Sequence, residues 1–264
     1  MTLPSAEFAL VHSNDGVAIA HLATGDGPPL VLIGGALSTR SSLGPLADAL
    51  AHRFQAITYD RRGRGDSGDG LYSVDREIED LAALLDAFGG ECAVYGHSSG
   101  GILALRAAAA GLGISRLAIY EPPLIAPTQP LASVLIPAIR SLLVEGRRSE
   151  AVETFLREAV QTPPPSVERA KASEAWPILE SIAPTLIYDL AISGAEAADP
   201  MPPLGGITTP VLVLDGGLSP VVLRDIAVEV AGELANARHA TIPDQRHNPT
   251  VDALAPVLTG FFTT

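Results

Sequence analysis

Residues 92–101 read Cys-Ala-Val-Tyr-Gly-His-Ser-Ser-Gly-Gly, and the architecture follows from this run. Cys92 to Tyr95 is short and apolar, as suits a buried parallel strand. The stretch that follows, to about Ala110, is Ala-rich and helical. Between them Gly96-His97-Ser98-Ser99-Gly100 matches G-x-S-x-G. A serine at the tip of a strand-to-helix turn sits on a strained backbone, and side chains at the flanking glycines would collide with the neighbouring strand and helix. The helix N-terminus beneath such a serine favours developing negative charge. The single cysteine, Cys92, lies in the strand, so the nucleophile offered at this turn is the Ser98 hydroxyl.

Upstream of the turn, strands alternate with helices. Phe8–His12 and Val17–Leu22, separated by Ser-Asn-Asp-Gly, form a hairpin pattern. Pro29–Ile33 is a second buried-strand run, ending in Gly34-Gly35. Leu43–His52 has helical spacing, Gln55–Tyr59 is strand-like, and Asp60-Arg-Arg-Gly-Arg-Gly-Asp-Ser-Gly68 is a Gly-rich loop that carries the basic cluster Arg61, Arg62 and Arg64. Ser73–Phe88 is amphipathic, with Val74, Ile78, Leu81, Leu84 and Leu85 on one stripe, Ser73 as N-cap and Gly89 as the stop. Downstream, Leu117–Tyr120 is a strand halted by Glu121-Pro122-Pro123. From Pro122 to about Gly205 the rhythm breaks into helical segments, Pro130–Val144, Ser149–Thr162 and Trp176–Ile192, punctuated by prolines. It resumes with strand Val211–Leu214, helix Val221–Ala235, strand His239–Ile242 and helix Val251–Phe262. Such alternation implies a mostly parallel sheet with helices on both faces. The expected division is a core of 1–121 and 206–264 with a helical cap at 122–205.

Composition narrows the function classes. The 264 residues carry 17 basic against 30 acidic side chains, a net charge of −13. That charge argues against the basic surface a nucleic acid would require. High aliphatic content with 18% charged residues argues against disorder. One cysteine supports neither an internal disulfide nor a Cys-based zinc site, and no metal or cofactor is implied. Without a basic n-region or an apolar run of about 20 residues, the expectation is a cytoplasmic protein with no membrane partner. The oligomeric state is not encoded in any motif.

A serine hydroxyl is a poor nucleophile at neutral pH unless a base takes its proton. Among six histidines, His12 and His21 fall in the hairpin, His52 ends a helix, His97 is expected to point elsewhere and His239 lies in the last strand. His247 follows that strand in the polar loop Asp244-Gln-Arg-His-Asn-Pro249.

In order and content, Gly34-Gly35-Ala36, Tyr59-Asp60-Arg61-Arg62-Gly63-Arg64-Gly65-Asp66-Ser67, the Ser98 turn and the late His247 resemble the α/β-hydrolase superfamily over nearly the whole chain. The resemblance implies an α/β fold with an eight-stranded, mostly parallel sheet and a cap after the sixth strand. It also implies that Ser98 and His247 act as nucleophile and base, and that the Ala36 and Ser99 N–H groups bind the oxyanion. The superfamily often has His-Gly where this chain has Gly34-Gly35. Its usual acid position, past the seventh strand, holds Ser219, which cannot stabilise an imidazolium by charge. Two carboxylates remain as third members: Glu121, at the end of the sixth strand where a known variation places the acid, and Asp215. Gly35, with Trp176 and Tyr188 of the cap, is expected to line a pocket for an apolar or aromatic acyl substrate. The expected activity is hydrolysis of a carboxylic ester, lactone or thioester through an acyl-enzyme. A C–C bond hydrolase or cofactor-free cyclase on the same scaffold is the alternative, and a non-catalytic binding module the third reading.

Overall fold

The computed structural model of the chain describes residues 8–124, 130–194 and 199–264. The N-terminal stretch 1–7 and the segments 125–129 and 195–198 of the expected cap lie outside the described residues. The described residues form one eight-stranded sheet: β1 (Ala9–His12), β2 (Ala18–Thr24), β3 (Pro29–Ile33), β4 (Gln55–Tyr59), β5 (Cys92–His97), β6 (Ile114–Tyr120), β7 (Val211–Gly216) and β8 (Ala237–Ile242). Their order is β1-β2-β4-β3-β5-β6-β7-β8. The pairings of β2 with β1 and β4 are antiparallel and every other pairing is parallel. The chain divides into two compact units, residues 1–122 with 202–264, and residues 123–201.

In the first unit the alternation of strand residues sorts the core into two layers. Leu30 and Leu32 of β3, Tyr95 of β5, Ala118 and Tyr120 of β6 and Leu212 and Leu214 of β7 face the helices Gly44–Leu50 and Val251–Phe262, whose Leu46, Leu50, Leu254, Leu258 and Phe261 close that layer. On the other face the buried side chains include Leu81, Leu84 and Leu85 of helix Val74–Ala87 and Ile102, Leu103 and Leu105 of helix Ser99–Ala109. Each fully buried aliphatic side chain contributes about 1.5–3 kcal/mol. Ser73 caps helix Val74–Ala87 by accepting from the Arg76 N–H, and Gly89 follows it at φ +103°. That helix also buries Glu77 and Asp80, polar positions that its apolar stripe does not announce.

The second unit is helical, with local departures from the expected boundaries. Prolines 163–165, read as a break, open the helix Pro164–Lys171, because proline's missing N–H costs nothing in a first turn. The expected helix 149–162 is α-helical over Arg148–Thr154 and widens to a π-helix over Phe155–Ala159. The expected helix 176–192 is interrupted by a 3₁₀ turn at Ala183–Thr185, where Pro184 removes a backbone donor. No helix among the described residues is long and apolar enough to cross a membrane.

Candidate functional site

Every site residue in the first unit sits at or just beyond the carboxyl end of a parallel strand, where open α/β sheets place their ligands. Ser98 follows β5 with φ +54° and ψ −125° and is 8% exposed. The strain is tolerated because the surroundings over-determine it: Ser98 N–H donates to Tyr120 O at 2.9 Å, and Ser98 O accepts from Gly101 N–H at 2.8 Å. The flanking glycines are steric requirements. A Cβ on Gly96 would stand 2.6 Å from Gly100 O, and one on Gly100 would stand 2.5 Å from Ile33 O.

Glu121 follows β6 directly, fully buried and at φ +45°, its N–H still continuing the ladder to Leu214 O at 2.9 Å. The Glu121 carboxylate accepts from His247 Nδ1 at 2.7 Å through Oε2 and from Gly216 N–H at 2.8 Å through Oε1. Burial pushes this carboxyl up, but the hydrogen bond from His247, the nearby Ser219 hydroxyl and the Gly216 N–H together hold it below the usual carboxylate range. Ser219 Oγ is buried within electrostatic reach of Glu121 yet meets no partner at hydrogen-bond geometry. A carboxylate can only accept, so Nδ1 of His247 carries the proton and Nε2 is left with the lone pair.

The His247 loop is clamped from below. Tyr120 Oη donates to Arg246 O and His97 Nε2 donates to His247 O, each at 2.7 Å. His97, read from the sequence as directed away from Ser98, thus turns its side chain onto the His247 backbone. Its ring lies 4.9 Å from that of His247 and stacks at 5.9 Å on Tyr120. Desolvation and the adjacent His247 push His97 down to about 4, so it is neutral at pH 7 and donates through Nε2. No local motif distinguishes this contact, since it joins residues 150 positions apart. Among the described residues no hydrogen bond joins Ser98 Oγ to His247 Nε2.

Asp215, the other candidate acid, lies inside β7 and presents Oδ2 to His239 Nε2 at 2.7 Å. The carboxylate on His247 is that of Glu121. Trp176, in the second unit, is buried with its indole N–H shared between Ser149 Oγ at 2.8 Å and Glu180 Oε1 at 2.9 Å. Tyr188, in the same unit, is half-buried in helix Leu186–Ile192. Among the described residues no group of three His, Cys, Asp or Glu side chains is arranged to hold a metal ion.

The loop after β3 approaches Ser98 closely: a Cβ on Gly35 would stand 2.9 Å from Ser98 Cβ and 3.2 Å from His97 Nδ1. Ala36 follows, half-buried, and then Leu37 at φ +57°. The arginines after β4 are buried and engaged. Arg61 pairs with Glu77 at 2.6 Å and donates to Ser99 Oγ at 3.2 Å. Arg62 grips Asp80 with two bonds of 2.7 Å and reaches Asp15 at 3.0 Å. Arg64 Nη1 donates to Gly35 O at 2.7 Å and Ser38 O at 3.3 Å.

Comparison with known proteins places this geometry among relatives. A solved α/β hydrolase from Sphaerobacter thermophilus is 47% identical, with a TM-score of 0.88 over 96% of this chain and 100% of that one. Over 108 residues the sequence is 37% identical to an N-formylmaleamate deformylase of Pseudomonas putida, and over 89 residues it is 40% identical to a putative carbamate hydrolase of Azorhizobium caulinodans. Those matches take in 39% and 33% of this chain and span only 40% and 34% of the two relatives' length. The model of the alpha/beta hydrolase family matches residues 30–258, and the chain belongs to that family.

Proposed function

We propose that this chain is a serine hydrolase that cleaves a carboxylic ester, lactone or thioester of an apolar small molecule through an acyl-enzyme on Ser98. The observation that carries the reading is the 2.7 Å bond from His247 Nδ1 to the buried Glu121 carboxylate. It leaves Nε2 as a base on the strand ends where Ser98 is held on its strained turn. In the proposed sequence Ser98 Oγ attacks the substrate carbonyl while its proton passes to His247 Nε2. Glu121 stabilises the resulting imidazolium, and the Ala36 and Ser99 N–H groups receive the oxyanion, each contributing about 3 kcal/mol to the barrier reduction. The proton then passes from Nε2 to the leaving alcohol or thiol. Water, deprotonated by the same nitrogen, attacks the acyl carbon, and collapse of the adduct releases the acid and restores Ser98.

The test is hydrolysis of p-nitrophenyl butyrate with fluorophosphonate labelling, in the wild type and Ser98→Ala. The partial relatives, a deformylase and a carbamate hydrolase by name, add a formamide and a carbamate to the panel. Loss of both turnover and labelling in Ser98→Ala supports the reading. Turnover that survives the substitution overturns it.

A further inference from the structure

We infer that Arg64 is a positioning residue that keeps the oxyanion loop in its working orientation; the inference rests on the acyl-enzyme reading above. Arg64 is 1% exposed, and its Nη1 bonds to Gly35 O and Ser38 O fall on either side of Ala36 and Leu37. The Gly35–Ala36 peptide is trans. A planar trans peptide points its C=O and N–H in opposite directions, so anchoring Gly35 O on Arg64 turns the Ala36 N–H away from the guanidinium. Without the anchor the unit could rotate, because Gly35 has no Cβ to oppose a change in its ψ. Such a rotation would place a carbonyl where the oxyanion donor belongs. The loop also has reason to relax, since Leu37 is held at φ +57°, a left-handed conformation that a leucine keeps only under constraint from its surroundings. Arg64 supplies that constraint at both ends.

The experiment compares the wild type with Arg64→Ala and Arg64→Lys for kcat and KM on p-nitrophenyl butyrate. It also measures binding of phenylethaneboronic acid, a tetrahedral-adduct former, and rescue by added guanidinium. For Arg64→Ala the expected result is a kcat loss of about 10²-fold with KM changed by no more than about twofold. Boronate affinity should fall in parallel, and guanidinium should partly restore kcat; Arg64→Lys should lie between. A folded Arg64→Ala with kcat within about threefold of wild type overturns the inference, as does a kcat loss that leaves boronate affinity unchanged. If the variants do not fold, the wild type still decides. Its Ala36 amide proton should move downfield on boronate binding, and an unmoved Ala36 amide beside a displaced Ser99 amide overturns the inference. Failure of the wild type to be labelled by fluorophosphonate at Ser98 condemns the underlying reading instead.

Discussion

Replacing Glu121 by glutamine removes one charge while keeping the shape of the side chain. Oε1 of the amide can still accept from Gly216 N–H, which in the native chain bonds the carboxylate at 2.8 Å, so the β6–β7 junction should survive. What is lost is the charge beside His247 Nδ1, bonded at 2.7 Å. With the centres of charge about 4 Å apart and an effective dielectric of about 20, the attraction between carboxylate and developing imidazolium is about 4 kcal/mol, or about three powers of ten in rate. The amide NH₂ can also donate to Nδ1, which would move the ring proton to Nε2 and abolish the base. Glu121→Gln should therefore lower kcat on p-nitrophenyl butyrate by about 10³-fold or more, with KM nearly unchanged and a Tm close to wild type. The companion Asp215→Asn, whose native carboxylate is bonded to His239, should keep kcat within a few-fold. A folded Glu121→Gln with kcat within tenfold of wild type, or an Asp215→Asn that alone loses activity, would refute this assignment of the acid.

Three further outcomes follow from the geometry. Gly100→Ala forces a methyl to 2.5 Å from Ile33 O and should destabilise the fold by about 2–3 kcal/mol, read as a lower urea midpoint. Arg62→Met leaves the buried Asp80 carboxylate without its bidentate partner and should cost about 3–5 kcal/mol in the same melt. His97 is pushed down to about 4 from 6.5, so the unfolded chain binds the extra proton first as the pH falls. Stability from this site should be complete above pH 6.5 and decline as the pH drops toward 4. In His97→Gln that part of the pH dependence of urea stability should disappear.

The strands and helices of the sheet are legible in the sequence, because buried parallel strands are short apolar runs and the helices between them carry period, caps and stops. Less is legible wherever a partner lies far along the chain. Glu77 and Asp80 interrupt the apolar stripe of their helix, and only the buried Arg61 and Arg62 explain why carboxylates occupy that face. Prolines 163–165 read as a break because their effect depends on whether a helix starts or continues there. In the candidate site, Ser98 was legible from its flanking glycines, and His247 from its place after the last strand. The choice between Glu121 and Asp215 was not, since both follow the strands expected from the sequence and spacing cannot reveal which carboxylate a histidine 126 residues away will meet. The partner of His97 is hidden for the same reason: it is the His247 backbone carbonyl, a group that no side-chain pattern reveals. Leu37 and Glu121 at positive φ were equally hidden, because neither residue type announces a left-handed backbone.

An acyl-enzyme on Ser98 can be trapped by acid-quenching the protein during turnover of p-nitrophenyl butyrate and mapping its peptides by mass spectrometry. The expected result is one butyryl group on the peptide that contains Ser98, accumulating ahead of steady-state acid release and absent from Ser98→Ala. Sustained turnover with no adduct under conditions that trap a known acyl-enzyme, or an adduct on another residue, would contradict it.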